Sequence, residues 1–458
     1  MKIPQLRKKP ETKTCHNMTW EDNYSWIHQK NILEVLKDKK KLDPEVRKYL
    51  IQENNYAEHH LKDTKDLQKK LFKEIKGRIK LDDESLPYKD LRYEYWTKTT
   101  VEGNYSIKLR KKINSNKVEE IWNGDKEKKK LGVEYFGVGD LEVSHNDKYL
   151  GYSLDIKGSE YYTIFIREIF SNKIITKEIA DTSGGITFSL DNKYIFYSKL
   201  DQNHRARKIY RHEIGNFKDH DELIFEEKSE AFTVSIGLSS DEKYYFISTS
   251  DHNTSEQYYF KIDEKKPKPK LIKKRKKGIL YSVSSWNNKF YNHTNENAED
   301  FKIDISESLE KQNWKSFIAP KNEVLIGGCV FLKKWIIRSE TSNALKKLFV
   351  KNISTGSEEE LVFSEEKVCV PNISLKQKDK NTDEIYVGYS SPKTPSRVYL
   401  YNLSTKSKKL VKEQEIPSGH NPNNYIVERI EFKSHDGRLV PLTITRHKKT
   451  KVDGSANL

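Results

Sequence analysis

The spacing of apolar residues divides the chain into regions of different secondary structure. Across residues 45–77, apolar and aromatic residues recur every three or four positions, which predicts helix. Asp43 and Pro44 precede this stretch, and a capping aspartate followed by proline favours a helix start. From about residue 85, apolar and polar positions alternate in short runs separated by Asn, Asp, Gly and Lys, as in strands and turns. We therefore predict an N-terminal helical segment, residues 1–80, followed by a mainly β region.

A repeat runs through the β region. Each copy has a serine-led polar turn, then lysine and an aromatic residue, then an alternating strand. The clearest copies are SHNDKYLGYSL (144–154), SLDNKYIFYSK (189–199), SSDEKYYFIST (239–249) and SSWNNKFYNHT (284–294). The register extends more weakly to Trp335 and Tyr386, and back to Tyr95, which gives seven units of about 45–54 residues. Such units are typical of a β-propeller with about four strands per blade, so we predict a seven-bladed β-propeller over residues 81–410.

The C-terminal region, residues 411–458, has a different pattern. Residues 415–424 (EIPSGHNPNN) have the composition of a connector. Residues 425–447 predict a β-hairpin, because Asp436 and Gly437 form a strong turn signal between two alternating runs. The last residues are polar.

Six segments of the chain resemble the prolyl oligopeptidase family of serine peptidases, and most closely its oligopeptidase B branch. They are DNYSWI (22–27), YLIQENNYAE (49–58), PYKDLRYEYW (87–96), KIYRHEIG (208–215), YSSPKTPSRVYLYNLSTKSKKLVKEQEIP (389–417) and FKSHDGRLVPLTI (432–444). The resemblance implies an N-terminal segment that packs on a C-terminal α/β-hydrolase domain, with a propeller that gates substrate access. It also implies cleavage of short peptides after Lys or Arg. In the family, the hairpin at 425–447 begins the hydrolase domain.

No nucleophile elbow is present in the sequence. The nearest strings to G-x-S-x-G, GLSSD (237–241) and GYSSP (388–392), lack the second glycine that the tight strand-to-helix turn requires. We therefore expect the Ser/Asp/His triad to lie beyond Leu458, in a domain that is missing or on a separate chain. The chain alone is accordingly expected to be inactive, with no catalytic, cofactor-binding or metal-binding residues.

Histidines and turn aspartates are the residues that most invite a catalytic interpretation. His59 and His60 are adjacent on the predicted helix and point about 100° apart, so they are poorly placed to chelate one ion. His435 neighbours Asp436, but in a hairpin turn. His145, His204, His212 and His220 fall in separate predicted turns without metal-ligand spacing. We interpret Asp147, Asp191 and Asp241 as turn formers, because aspartate stabilises turns through local hydrogen bonds.

Charge and cysteine content limit the expected partners and the expected cellular location. The formal net charge is +16 and the pI about 9.2, but acidic residues are interleaved with the lysines nearly everywhere. The exception is the basic run at 265–278, which we interpret as a loop between strands. No recognised nucleic-acid motif accompanies it, and no apolar run approaches the length of a membrane span, so neither nucleic acid nor membrane is an expected partner. Three scattered cysteines and the lack of an apolar leader favour a cytoplasmic location.

Three functions stay open from the sequence. The first is the front portion of a serine oligopeptidase, separated from its catalytic domain by a gene split, a frameshift or an incomplete record. The second is a stand-alone propeller that binds a protein or peptide without catalysis. The third is a basic nucleic-acid binder, motivated by the run at 265–278. The family resemblance favours the first.

Overall fold

The N-terminal region is helical, with a hairpin that the sequence did not predict. The structure is a computed structural model that describes residues 1–217, 221–362 and 366–457. Its first elements are β1 (Glu11–Cys15), β2 (Met18–Asp22), α1 (Ile32–Lys37), α2 (Pro44–His60) and α3 (Lys65–Gly77). The single helix predicted over 45–77 is thus two helices, separated by a short 3-10 turn at Lys62–Thr64. Asp43 caps α2, since its carboxylate accepts hydrogen bonds from Glu45 N and Val46 N at 2.8 and 3.2 Å.

Antiparallel strands form the rest of the chain as far as residue 413. The first sheet contains β3 (Tyr88–Asp90), β4 (Tyr93–Lys98), β5 (Ile107–Lys112) and β6 (Val118–Asn123), followed by the helix α4 (Gly124–Leu131). The second contains β7 (Gly137–Val143), β8 (Tyr149–Asp155), β9 (Tyr162–Glu168), β10 (Ile179–Thr182), β11 (Thr187–Phe188), β12 (Tyr194–Leu200), β13 (Ala206–Glu213) and β14 (Glu222–Glu226).

Four further four-stranded sheets and a separate hairpin follow. They are β15 (Thr233–Leu238), β16 (Tyr244–Ser250), β17 (Ser255–Lys261) and β18 (Lys270–Lys273); β19 (Tyr281–Trp286), β20 (Lys289–Thr294), β21 (Lys302–Ser306) and β22 (Lys315–Ile318); β23 (Val324–Phe331), β24 (Trp335–Ser342), β25 (Leu345–Asn352) and β26 (Glu358–Glu360); and β27 (Val370–Leu375), β28 (Glu384–Ser390), β29 (Arg397–Asn402) and β30 (Lys408–Glu413). The hairpin consists of β31 (Tyr425–Lys433) and β32 (Leu439–His447).

The prediction of seven blades is wrong. Within the described ranges the propeller has five four-stranded blades, and β7–β14 form one continuous eight-stranded sheet. The cause is the short strand β11, which pairs with β12 only as far as Phe196. The remaining edge of β12 is taken by β10, through the pair Thr182–Lys199 and a hydrogen bond from Ser183 N to Ser198 O of 3.0 Å. Two repeats are thereby joined by main-chain hydrogen bonds.

Apolar clusters fill the junctions between successive sheets. In one, Trp122 of β6 packs with Leu150 and Tyr152 of β8; in another, Ile337 of β24 packs with Val387 of β28. Burial of such side chains is worth about 1.5–3 kcal/mol each, so these junctions hold the sheets together.

The turns of the repeat also join neighbouring sheets. Within its own turn, Asp191 accepts hydrogen bonds from Ser189 Oγ at 2.6 Å and Lys193 N at 3.1 Å. Asp147 differs, because it accepts from Tyr95 of the preceding sheet at 2.8 Å. Asp241 accepts from Ser285 of the following sheet at 2.8 Å. Two of the three aspartates interpreted as turn formers therefore also tie one sheet to the next.

The first and last sheets meet through polar contacts and close the ring. Lys89 N donates to Lys376 O at 3.0 Å, and Lys378 N donates to Lys89 O at 2.8 Å. Tyr386 contributes a longer hydrogen bond, 3.4 Å, to Pro87 O. None of the apolar clusters found among the described residues spans this junction. The ring is thus closed by a few polar contacts, main-chain hydrogen bonds among them.

The two ends of the ring carry different elements. The chain enters and leaves at one end, where Lys80 pairs with Glu415 at 2.7 Å. The hairpin lies at this end too, since Asn343, in the turn between β24 and β25, donates to Glu431 at 3.2 Å. Helix α1 also contacts it, through Lys37 and Asp181 at 2.6 Å. We call this end the proximal face and the opposite end the distal face.

Candidate functional site

A cavity of about 900 Å³ opens on the distal face of the ring. It lies where the carboxyl ends of β3, β7, β15 and β19 converge with the segment that follows β27. Its lining residues are Tyr88, Lys89, Asp90, Leu91, Glu142, Val143, His145, Leu238, Ser239, Ser240, Asp241, Glu242, Trp286, Gln377, Lys378, Asp379 and Lys380. We call this cavity the distal mouth. Its walls come from five separate stretches of chain. The cavity therefore forms only when the sheets assemble into the ring, and no local sequence motif encodes it.

Lys378 is the central charge of the distal mouth. Its ammonium donates to His145 Nδ1 at 2.9 Å and lies 3.5 Å from Glu242 Oε1 and 3.7 Å from Asp90 Oδ1. The hydrogen bond requires an unprotonated Nδ1 on His145. Burial, and then the Lys378 charge, lower the pKa of His145, which keeps this imidazole neutral.

Burial also shifts the other charged groups of the mouth. It raises the pKa of Asp90 and that of Glu142, and it lowers the pKa of Lys380. It raises the pKa of Tyr88 to about 12. Every one of these shifts disfavours the charged form. The charged groups of the mouth have therefore lost part of their hydration free energy. A ligand of opposite charge would recover part of that loss.

Two polar atoms at the mouth lack a hydrogen-bond partner among the described residues. They are Asp90 Oδ1 and Trp286 Nε1. The indole of Trp286 is only 7% exposed. Buried donors and acceptors are normally paired, and unpaired ones mark places where a further group can bind. Asp90 Oδ1 belongs to the charge cluster, because the Lys378 ammonium lies 3.7 Å from it, and Trp286 Nε1 is a further buried donor on a lining residue.

The histidines singled out in the sequence are dispersed in the structure. His59 and His60 lie exposed at the end of α2, and His435 lies exposed in the turn between β31 and β32. His204 lies in a turn, and His220 is outside the described residues. In the part of the chain that is described, no three or more His, Cys, Asp or Glu side chains are placed to hold a metal ion.

His212 was wrongly placed in a turn, since it lies on β13 and is fully buried. Its Nδ1 is 2.8 Å from Asp221 Oδ1, and its Nε2 makes a short hydrogen bond with Thr176 Oγ1. The order hydroxyl, imidazole, carboxylate is that of a hydrolase triad. Thr176 is 1% exposed, however, and its hydroxyl also donates to Asn216 O at 2.9 Å. No substrate can reach this hydroxyl, so the group is structural.

Replacing His212 by leucine should therefore destabilise the fold and leave the chemistry of the chain unaltered. Asp221 and Thr176 would each lose a buried partner, at a cost of about 1–3 kcal/mol. Urea unfolding followed by tryptophan fluorescence measures the loss. Labelling of the parent chain at Thr176 by a fluorophosphonate would contradict the structural assignment.

The strings nearest to a nucleophile elbow lie on strands and their turns. GYSSP spans the end of β28, and GLSSD spans the end of β15. Neither is followed by a helix. Leu458, beyond which the triad is expected, is outside the described residues.

The basic run at 265–278 is in part a strand, β18, and several of its charges are paired. Arg275 lies 2.8 Å from Glu227, Lys270 lies 2.9 Å from Glu310, and Lys273 pairs with Glu296. Internal pairing of this kind leaves less charge for an anionic partner. None of the helices described has the length and apolarity that a membrane span requires.

Apolar side chains are exposed on the proximal elements. On α3, Leu67, Leu71 and Ile75 recur every four residues and are 56%, 45% and 58% exposed. On the hairpin, Phe432 and Leu439 are 47% and 65% exposed. A stripe at helical spacing normally faces a core. We call Leu67, Leu71 and Ile75 the α3 stripe.

Comparison with known proteins relates nearly the whole chain to one family of peptidases. Residues 4–414 match the family described as prolyl oligopeptidase, N-terminal β-propeller domain. Dipeptidyl aminopeptidase BI of Pseudoxanthomonas mexicana is 26% identical, over 99% of this chain and 64% of its own length. Protease 2 of Moraxella lacunata is 23% identical, over 97% of this chain and 63% of its own length. The chain thus spans less than two thirds of these relatives.

Solved structures show the same fold. Oligopeptidase B from Trypanosoma brucei, with covalently bound antipain, superposes with a TM-score of 0.88 at 22% identity. The match covers 98% of this chain and 66% of that one. Oligopeptidase B from Leishmania major gives a TM-score of 0.89 at 21% identity, with 99% and 66% covered.

Proposed function

Since this chain belongs to the prolyl oligopeptidase family, as its N-terminal β-propeller portion, we propose that it is the propeller part of a serine oligopeptidase of the oligopeptidase B type. The observation that carries the proposal is the family match over residues 4–414, together with relatives of which the aligned part is less than two thirds. The nucleophile, aspartate and histidine would be supplied by a C-terminal α/β-hydrolase domain. In this proposal, residues 1–80 pack on that domain, residues 81–410 form the propeller, and residues 411–458 are the connector and the first hairpin of the hydrolase domain.

The proposed substrates are short peptides cleaved after Lys or Arg, with the propeller gating access. The charge of the distal mouth supports a basic substrate. Its lining includes five carboxylates and three lysines, on a chain whose net charge is +16. A cationic peptide would be attracted to this opening and repelled by much of the remaining surface. The narrow ring would exclude folded proteins.

We further propose a cytoplasmic setting. The three cysteines, Cys15, Cys329 and Cys369, are all free. Burial raises the pKa of Cys329 to about 12, which keeps its thiol protonated and unreactive. Free thiols fit a reducing compartment.

Peptidase assays test whether turnover requires a catalytic domain in addition to this chain. The purified chain should give no turnover of a fluorogenic peptide with arginine at the cleavage site, and no labelling by a fluorophosphonate. Turnover should appear when a catalytic domain follows residue 458 or is added as a second polypeptide. Turnover by the chain alone, abolished by a serine-directed inhibitor, would contradict the proposal.

DNA sequencing supplies a second test. An adjoining frame downstream of codon 458 that encodes G-x-S-x-G within an α/β-hydrolase pattern is the expected result. Unrelated sequence in a verified genome would instead favour the alternative, a propeller that binds a protein or peptide without catalysis.

A further inference from the structure

We propose that the distal mouth is a binding site for a lysine-containing peptide segment, and that Lys378 occupies the same carboxylates in the free protein. The site would lie on the face opposite the N-terminal helices and the hairpin. It needs no catalytic domain, so it can be measured on this chain whether or not the proposed peptidase function holds.

The carboxylates of the mouth show what charge it accepts. Asp90 and Glu242 come from different sheets and both lie within 3.7 Å of the Lys378 ammonium. Their side chains are 28% and 39% exposed, so a ligand can approach both from solvent, although Asp90 Oδ1 itself is buried. The position is therefore already filled by a primary ammonium, supplied by the chain itself. A lysine side chain from a peptide carries the same group.

The unpaired atoms indicate that the ligand is more than a bare cation. Asp90 Oδ1 is paired with the Lys378 ammonium at 3.7 Å but accepts no hydrogen bond, whereas Trp286 Nε1 is a buried donor without an acceptor among the described residues. A lysine-containing peptide provides both an ammonium and an acceptor, because each residue has a carbonyl oxygen next to its side chain. A free diamine provides ammonium groups but no carbonyl oxygen. Tyr88 and Trp286 also line the cavity and would cover the methylene groups of a lysine.

Lys378 has the features of an internal competitor. It lies in the segment between β27 and β28, and its main-chain N–H is held by Lys89 O at 2.8 Å, so its side chain can leave without moving the backbone. Its side chain is 22% exposed. When a ligand ammonium replaces it, the Lys378 ammonium can turn to solvent. Removing Lys378 should therefore increase affinity.

Calorimetric titration of this chain tests the proposal with three probes. N-acetyl-lysine methylamide has the ammonium and the carbonyls, N-acetyl-norleucine methylamide lacks the charge, and 1,5-diaminopentane lacks the carbonyls. We expect the lysine probe to bind more tightly than both others. Equal binding of the lysine and norleucine probes, or no binding of the lysine probe, would overturn the proposal. Tighter binding of the diamine than of the lysine probe would overturn the peptide assignment.

Variants identify the residues. Lys378→Met should strengthen binding of the lysine probe roughly three- to tenfold, the scale of one partly exposed ion pair. Asp90→Asn combined with Glu242→Gln should weaken it by a similar factor. Trp286→Phe should weaken the lysine probe and leave the diamine unchanged.

Matched controls lie elsewhere on the propeller. Lys289→Met and Glu307→Gln alter exposed charges that do not line the cavity, and should leave affinity unchanged. If the double variant fails to fold, the gain from Lys378→Met and the norleucine comparison still decide the question. An unchanged affinity in Lys378→Met, or an equal gain in Lys289→Met, would show that Lys378 does not compete.

Discussion

Replacing Arg338 by methionine is expected to lower the free energy of unfolding by about 3–5 kcal/mol, the cost of breaking a buried ion pair. Arg338 lies on β24 and is 2% exposed. Its Nη2 donates to Glu340 at 2.6 Å, and its Nη1 donates to Glu358 at 2.5 Å. Without the guanidinium, the one cationic partner left to Glu340 among the described residues would be Lys321, 2.7 Å away. Glu340, which is 4% exposed, would then be a buried carboxylate with one of these two cationic partners instead of both.

Glu358, the second carboxylate that Arg338 binds, makes the loss of unfolding free energy depend on pH. Arg338, through its hydrogen bond and then its charge, lowers the pKa of Glu358 below its ordinary value. Such a carboxylate adds stability above the pKa of an unfolded glutamate, about 4.3, and this stability is lost as pH falls through the lower folded pKa. The gap between parent and Arg338→Met should therefore be full at pH 7 and narrow in acid.

Urea unfolding at pH 7 and in acid measures the effect, with Arg397→Met as the matched control. Arg397 pairs with Glu413 at 2.8 Å, but the two side chains are 31% and 41% exposed. Loss of that pair should cost less than about 1 kcal/mol. Replacing Glu340 by leucine in the Arg338→Met background should restore part of the stability, since the unpaired charge is then removed. Equal losses in Arg338→Met and Arg397→Met would contradict the assignment of a buried network.

Local signals in the sequence correctly indicated the elements that depend on neighbouring residues. Asp43 and Pro44 start α2 as expected, and the Asp436-Gly437 turn forms the hairpin, with Gly437 at φ 83°. The helix α4 was missed because its sequence, GDKEKKKL, offers almost no apolar face. The join between β10 and β12 was missed because it depends on how short β11 is, which the repeat does not encode.

The distal mouth could not be predicted from spacing. Lys378 and His145, the hydrogen-bond partner of its ammonium, are 233 positions apart. Trp286 belongs to a repeat in which aromatic residues normally indicate core. Such a site is created by the closure of the ring, and the sequence carries only the family resemblance as a signal of it.

The α3 stripe yields the second large effect, which concerns association instead of stability. Replacing Leu71 and Ile75 by serine should change the stability of this chain by no more than about 0.5 kcal/mol, because both side chains are already about half exposed. If a catalytic domain covers the stripe, each side chain contributes about 1.5–3 kcal/mol of burial. Their loss should then weaken binding of that domain at least roughly a hundredfold.

Titration of a separately expressed catalytic domain into this chain measures the association, and Lys69→Ser with Lys73→Ser provides the control on the same helix. The control removes two exposed side chains and should leave binding within about threefold, since exposed charges contribute little. A stripe that faced solvent in the complete enzyme would give equal affinities for the two double variants. Helix α3 would then need another explanation for three apolar residues at four-residue spacing, because a helix that is exposed on all sides gains nothing from such a stripe.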